Sequence, residues 1–513
     1  MSFSMILPLN LVSASRKDYG PSADHRWAAS RVTGDDAVRP GASKPSRIRS
    51  RMRWRAQHKP LAASAVRTSE NRRSGVRQPL RALIGRVRQD SLLRNSLFIM
   101  LTTVVNSAFG FVFWLIAARL FTARDVGLTA TIISASTIVV ILASIGVGGM
   151  LIQSLPKQEE PSGWSLTVWA GMAIAIGTSL AVGFAALVLL PLISRELATL
   201  HSAAYATAFV VGTVAMTAGS IADSVFIAAR VAGNMFVRNS VIAVAKVLMV
   251  ALVTVLAGTR ALNLLGAWAA ASVVGLGLGL GILAGRMSLR WPPRASALAR
   301  TALGLRSRLA GNQLIGIGAA LLPYLLPVLV TARLSLTENA YFYTTWMLGG
   351  IFLIIAPAVS QSLFAEGVHN PQELHAKARL ALGFIAAILA PFVVVVFAMG
   401  GILLSTFGSA YEHHAIGLLR IVLLASIPDA IMNVYISVLR VRGRLIVAAG
   451  LSLSIGIGIV ALSWALLPVL GINAVGWAFL AMQTCGCVFM VLDLVGSSGL
   501  ARAAALLRHK ETA

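Results

Sequence analysis

Residues 118–127 read ARLFTARDVG and lie where one long apolar segment ends and the next begins. Residues 332–341 read ARLSLTENAY and lie at the same kind of boundary, with Arg333 following Arg119 by 214 residues. Each copy places Ala-Arg-Leu where an apolar helix would reach water. We interpret the two stretches as the opening marks of two similar halves.

The composition is that of a membrane protein. Of the 513 residues, 57% are hydrophobic and only 12% are charged, and the mean hydropathy is +0.79. A soluble domain is closer to one quarter charged. Apolar runs of about 20 residues recur from 92 to 495, and each is long enough to cross a bilayer as a helix. The sequence therefore predicts an all-α polytopic membrane protein.

We predict about twelve transmembrane helices in two parallel repeats of six. Three further matches support the repeat: QSL at 153–155 and 361–363, an Arg-x-x-Gly at 230–233 and 440–443, and glycines at 266 and 476. Because six is an even number, the halves enter the membrane from the same side, and transporters of this kind bind substrate between their halves. The predicted spans are 95–119, 126–152, 165–193, 203–229, 236–258 and 263–285, then 309–333, 340–364, 378–404, 414–439, 444–468 and 472–496.

The charge distribution predicts the orientation. With both termini in the cytoplasm, the inner connections hold 17 Lys and Arg against 5 in the outer ones, as positively charged inner loops require. We expect a multi-pass protein of a bacterial cytoplasmic membrane. The predicted segments are a disordered basic tail (1–78), an amphipathic interfacial helix (79–91), an N-lobe (92–285), a basic cytoplasmic linker (286–308), a C-lobe (309–496) and a cytoplasmic C-terminal tail (497–513).

The basic N-terminal segment suggests one partner. Residues 1–91 hold 19 Lys and Arg against 6 Asp and Glu. A nucleic-acid-binding arm is one interpretation, but next to a polytopic membrane region we favour attraction to anionic lipids and expect no nucleic acid as a partner.

The chain resembles the flippases of the multidrug/oligosaccharidyl-lipid/polysaccharide (MOP) superfamily, in its polysaccharide-biosynthesis (O-antigen-type, Wzx-like) branch. The resemblance rests on ARLF at 118–121 leading to Val126-Gly127, on the Arg-x-x-Gly motifs, and on Gly266-Ala267. It implies a V-shaped transporter of two six-helix bundles that flips a polyprenyl-diphosphate-linked oligosaccharide. Glycosyltransferases or a polymerase of the same pathway are implied partners. Residues 95–118 carry no charge, unlike the peptidoglycan-precursor branch, which argues against that substrate.

Ionisable residues inside the spans are the candidate site residues, because each needs a partner or a wet cavity. Asp223 and Lys246 are at similar depths, so they form either a salt bridge or, with Lys246 on the cavity wall, a site for a diphosphate. Asp429, one turn from Asn433, is either a coupling site for a proton or cation or a partner in a helix-to-helix hydrogen bond. Asp223 and Asn433 are offset by 210, so both halves place a polar residue there.

The remaining candidates lie nearer the helix ends. Arg420, Arg119 and Arg333 either extend to the membrane surface or face the substrate cavity, and Asn106 is among the most polar residues of the first span. Pro323 and Pro327 in the seventh span are candidate gate hinges, the alternative being a static kink.

Two other functions compete with a flippase. A multidrug or cation antiporter of the same superfamily would share the fold and use a membrane-embedded carboxylate. A glycan polymerase or ligase is less favoured, because the outer loops are short and no nucleophile motif, nucleotide-binding loop or metal-ligand spacing occurs. We therefore expect no enzyme activity, catalytic residue, metal or cofactor, with transport driven by a proton or sodium gradient or by the membrane potential.

Overall fold

The structure is a computed structural model, and it describes residues 91–287, 289–290, 294–305, 314–369 and 371–511. Within these ranges the chain forms fourteen α-helices. The predicted tail 1–78 lies outside the described residues, as does the predicted amphipathic helix 79–91 except for its last residue. The helices are α1 Ser91–Leu120, α2 Ala123–Ser154, α3 Pro161–Ile193, α4 Ala203–Ala228, α5 Ala232–Ala257, α6 Ala261–Arg286, α7 Ala295–Leu305, α8 Leu314–Arg333, α9 Leu336–Leu353, α10 Ile355–His369, α11 Leu374–Ser405, α12 Ser409–Val441, α13 Leu445–Leu470 and α14 Asn473–Glu511.

The predicted spans correspond to these helices. In the described part of the chain, eleven helical segments are long and apolar enough to cross a membrane. The remaining predicted span, 309–333, overlaps α8, which runs from Leu314 to Arg333. Two segments differ from the expectation: the linker predicted at 286–308 contains the short helix α7, and α14 continues to Glu511 through the segment predicted as a tail. The all-helical membrane fold is confirmed.

The predicted span 340–364 is interrupted at Ile354, which lies between the end of α9 at Leu353 and the start of α10 at Ile355. Pro357 explains the break, because it has no N–H group to donate to the Leu353 carbonyl four residues earlier. The helical pattern resumes with the bond from Ala358 N to Ile354 O at 3.2 Å.

The two opening stretches fold in the same way. The Thr122 side chain caps α2 by accepting a hydrogen bond from Asp125 N, and the Ser335 side chain caps α9 by accepting one from Glu338 N at 3.1 Å. Side-chain oxygens at this position satisfy backbone donors that a helix leaves unpaired. An arginine sits in the last turn of each preceding helix, where a positive charge is favourable. The helix boundaries are thus fixed locally, and they recur.

Packing repeats in the first half (α1–α6) and the second half (α8–α14). Helix α1 packs on α5 as α8 packs on α13, α4 packs on α6 as α12 packs on α14, and α5 packs on α6 as α13 packs on α14. The halves meet where α2 packs against α8 and α9.

This contact between the halves is close and hydrogen-bonded. A Cβ atom added to Gly127 of α2 would overlap the Leu336 carbonyl of α9. The Thr131 and Thr331 hydroxyls are 2.6 Å apart. The Asn339 amide donates to Gly127 O at 3.1 Å and to Thr131 Oγ1 at 2.8 Å. Glycine at 127 therefore lets two helix backbones approach directly.

Successive spans alternate in direction, so the chain connections fall at two faces. We call the face that contains Phe121 the Phe121 face, and the opposite face, which contains Arg230, the Arg230 face. At the Phe121 face, Arg119 of α1 donates to the carbonyls of Thr406 at 2.5 Å and Ser405 at 3.1 Å, at the end of α11. The hydrogen bonds named here between the halves all lie toward the Phe121 face.

Candidate functional site

A polar cavity of about 80 Å³ lies within the first half, mainly between α1, α4, α5 and α6. Polar side chains within a membrane-spanning bundle are costly, so their concentration in one place makes this cavity the candidate site. The polar residues that line it are Thr102, Thr103, Asn106, Ser220, Asp223, Arg238, Asn239, Lys246 and Ser272. Two of the five predicted substrate-binding residues, Lys246 and Asn106, therefore share this cavity with Asp223.

Asp223 is paired with Arg238 rather than with Lys246. Its Oδ1 accepts a hydrogen bond from Arg238 Nη1 at 2.9 Å, and its Oδ2 accepts one from Asn239 at 3.1 Å. Only 7% of the surface of Asp223 and 4% of that of Arg238 is exposed. The expected salt bridge between Asp223 and Lys246 is therefore absent from this structure.

The Arg238 guanidinium occupies a slot lined by glycines of two neighbouring helices. Its Nε donates to the Gly275 carbonyl of α6 at 3.0 Å. A Cβ atom on Gly219 of α4 would overlap Nη2, and one on Gly279 of α6 would lie 3.1 Å from Nε. Contacts on α4 and α6 thus fix a side chain that belongs to α5.

Lys246 is half-buried on the cavity wall and has no ion pair or hydrogen bond within the part of the chain that the structure describes. The charged side chains of the cavity are Arg238, Lys246 and Asp223. One negative charge against two positive charges leaves a net charge of +1, and Lys246 is the unpaired group. The cavity is therefore suited to an anion.

The second half contains a different polar site. Asp429 of α12 is 7% exposed and accepts a hydrogen bond from the Gln483 amide of α14 at 2.7 Å. The Oε1 atom of Gln483 is buried without a hydrogen-bond partner, and Asn433 donates to the backbone carbonyl of Asp429 at 2.9 Å. No cation pairs with Asp429 among the described residues. This carboxylate sits in a neutral polar setting, unlike Asp223.

The three candidate arginines do not line the Lys246 cavity. Arg119 bonds to the end of α11, as described above. The Arg333 guanidinium lies 4.6 Å from the centre of the Trp464 ring, and that of Arg420 lies 5.4 Å from the Phe397 ring. Both are contacts between a cation and an aromatic ring within the second half.

The candidate hinge prolines both lie inside α8, which remains helical from Leu314 to Arg333. Helix α8 packs against α2, α9 and α13, so it touches both halves. Its role as a gate stays a prediction. The described residues contain no cluster of three or more His, Cys, Asp or Glu able to hold a metal ion.

The sequence model of one family matches residues 116–416, more than half of the chain, and is described as "Polysaccharide biosynthesis protein". The chain belongs to this family. No curated protein sequence matches the chain significantly. In this chain, the region that matches the family runs from the end of α1 into α12, so it includes the cavity residues on α4, α5 and α6.

Two solved structures show the fold of this family member. The lipid II flippase MurJ, in an inward closed conformation, gives a TM-score of 0.63 at 9% identity over 78% of this chain and 87% of that chain. A multidrug resistance MATE family transporter of the MOP superfamily, in an inward-facing conformation, gives 0.60 at 12% identity over 77% of this chain and 96% of that chain. At such identities the likeness concerns the fold alone.

The chain is thus a multi-helix membrane protein of the polysaccharide biosynthesis protein family, with a fold like those of MurJ and of a MATE transporter. The predicted polysaccharide-biosynthesis family and the predicted fold class are confirmed.

Arg238 is the site residue that the sequence prediction missed. The sequence predicts a start of the fifth span at 236, so Arg238 falls at its edge and is one of the 17 Lys and Arg assigned to the inner connections. The helix begins at Ala232 instead, which places Arg238 between one and two turns inside it. A usable signal was present: Asp223 lies five residues before the end of α4, and Arg238 six residues after the start of α5. Helices joined by a short turn bring such positions to similar depths.

Proposed function

We propose that this transporter moves a polyprenyl-diphosphate-linked oligosaccharide from the cytoplasmic to the outer leaflet of a bacterial cytoplasmic membrane by alternating access. The observation that supports this most directly is the unpaired Lys246 ammonium in a cavity of net positive charge. Two features of the protein support this substrate class: it belongs to a polysaccharide biosynthesis family, and its cavity is suited to an anion.

The physical difficulty of the reaction lies in the head group. A diphosphate and its sugars cannot enter hydrocarbon without losing hydrogen bonds to water, and each unpaired polar group costs several kcal/mol there. An ammonium group that is shielded from bulk water attracts phosphate oxygens strongly. The Lys246 cavity has room for a phosphate-sized group only, so in our proposal the glycan occupies the space between the halves.

Alternating access requires a contact between the halves that closes one face at a time. The hydrogen bonds around Gly127, Thr131 and Asn339 supply such a contact at the Phe121 face. In our proposal that face is the outer one, as the distribution of Lys and Arg along the sequence predicts. In our proposal this conformation admits substrate from the cytoplasm, where lipid-linked precursors are made, and the contact opens for release.

We further propose that Asp429 is the ion-coupling residue. Asp223 is neutralised by Arg238, whereas Asp429 has only the neutral partners Gln483 and Asn433. A buried carboxylate without a cation tends to take up a proton or a sodium ion. Uptake and release of such an ion would drive the change between conformations.

The test is deletion of the gene in its native host. We expect a polyprenyl-diphosphate glycan to accumulate on the inner leaflet, and the unmodified chain to restore export. Lys246→Gln is expected to reduce export about tenfold or more, the effect of losing a hydrogen bond to a charged group. Lys246→Arg is expected to retain most of the activity.

Arg286→Gln is the matched control. Arg286 is an exposed cation at the end of α6, bonded to Asn234 and outside the cavity. The proposal is abandoned if no lipid-linked glycan accumulates on deletion. If Lys246→Gln exports the glycan as well as the control does, the Lys246 cavity is not the substrate site.

A multidrug or cation antiporter is the second candidate, supported by the fold shared with a MATE transporter and by the buried carboxylate of Asp429. It predicts increased drug susceptibility on deletion and loss of drug export in Asp429→Asn. Unchanged susceptibility, with lipid-linked glycan accumulating, rejects it in favour of the flippase.

A further inference from the structure

We propose that Arg238 is a positioning residue that neutralises Asp223 and so keeps Lys246 free to bind the anionic part of the substrate. This inference rests on the proposed function of the Lys246 cavity. It assigns Arg238 a role through another residue, because its side chain is buried and already bonded to both the carboxylate of α4 and a backbone carbonyl of α6. Nη1 bonds to Asp223 at 2.9 Å, and Nε bonds to the Gly275 carbonyl at 3.0 Å.

The setting of Arg238 holds it in place. Its side chain is 4% exposed, and its guanidinium fits between Gly219 and Gly279, where any larger side chain would overlap it or press against it. A planar guanidinium fixed at several donors loses little further freedom and does not reorient readily. Lys246 differs in both respects, since its ammonium is on a flexible four-carbon chain and has no described partner.

The consequence follows from charge balance. A buried carboxylate that loses its cation is strongly destabilised, and pairing with another cation of the same cavity restores part of that loss. Asp223 and Lys246 line the same cavity, so without Arg238 the replacement is Lys246. The cavity would then contain one positive and one negative charge joined in an ion pair, and the cation offered to a diphosphate would be lost.

The test compares four variants of the full chain in nanodiscs, with undecaprenyl diphosphate as the probe: Arg238→Gln, Asp223→Asn, the double variant, and Lys246→Gln. We expect Arg238→Gln to weaken binding about tenfold, as Lys246→Gln does, because both remove the free cation. The double variant is expected to bind within about threefold of the unmodified protein, since Lys246 has no carboxylate left to pair with. Asp223→Asn alone is expected to bind at least as tightly as the unmodified protein.

The rescue separates this role from others. If the double variant binds as weakly as Arg238→Gln, then Arg238 contacts the probe or serves packing only, and the inference is overturned. Weak binding of undecaprenyl diphosphate by Asp223→Asn, a variant in which Arg238 is unchanged, also overturns the inference. If Arg238→Gln fails to fold, Gly219→Ala displaces the guanidinium without removing its charge, and Asp223→Asn must rescue that variant. Normal binding by Lys246→Gln would instead count against the proposed function of the cavity.

Discussion

Joining Thr131 to Thr331 through a disulfide is expected to stop transport. The two hydroxyl oxygens are 2.6 Å apart across the contact between α2 and α8, and a disulfide needs its sulfur atoms at about 2.05 Å. Cysteines at these positions should therefore oxidise with little movement. The free cysteines Cys485 and Cys487 are first replaced by alanine, so that no other thiol competes.

The size of the effect follows from what holds the contact closed. Three hydrogen bonds join the halves here, from the Thr131–Thr331 pair and from Asn339 to Gly127 and Thr131. At about 0.6 kcal/mol for each such bond in a membrane protein, they contribute about 2 kcal/mol, a bias of about thirtyfold that thermal motion overcomes. A covalent bond removes opening altogether. Transport should fall to the fraction of molecules left unlinked, about one tenth when about nine tenths are joined.

The assay is export of the lipid-linked glycan before and after oxidation, with restoration by a reducing agent. The control pair is Ser179 and Thr217, whose oxygens are 3.0 Å apart but which both lie in the first half, on α3 and α4. Linking this pair should leave export unchanged. Full export by molecules linked at 131 and 331 would show that the halves do not separate at the Phe121 face, and the alternating-access proposal would fail.

Three further outcomes are expected. Gly127→Ala pushes a methyl group into a backbone carbonyl of α9 and should lower the stability of the purified protein by about 1–3 kcal/mol in thermal unfolding, whereas Gly177→Ala, with open space around it, should not. Asp429→Asn should remove the dependence of export on a proton or sodium gradient; an unchanged gradient dependence would exclude this residue from coupling. Arg119→Gln removes two hydrogen bonds to the end of α11 and should raise the fraction of molecules with an open contact about fivefold, the effect of about 1 kcal/mol, measured as the rate at which a single cysteine at 131 reacts with a thiol reagent; Arg333→Gln should not change that rate.

The helical architecture could be predicted because its causes are local. Apolar runs of sufficient length define the spans. The stretch at 118–127 marks a boundary through an arginine that ends one helix and a threonine that caps the next, and 332–341 does the same with Ser335. A repeat of such local signals in register is visible without any knowledge of contacts.

The partners of the site residues could not be predicted in the same way. Asp223 had two candidate cations, and a difference of four residues in the start of α5 removed the correct one, Arg238, from consideration. Likewise, nothing next to Gly127 in the sequence reveals that its neighbour in space is Leu336. Proline also gave an ambiguous signal. Pro323 lies within a continuous helix, whereas Pro357 coincides with a break.

The neutral setting of Asp429 and the charged cavity of Lys246 belong to different bundles, and this separation has a consequence for release. A cation and an anion captured side by side would neutralise each other as a contact pair, and each would then hold the other in place. Assigning them to separate copies of one duplicated scaffold keeps their binding equilibria electrically independent. In the proposed mechanism, the substrate anion and the coupling cation can therefore dissociate one after the other, without having to separate from each other first.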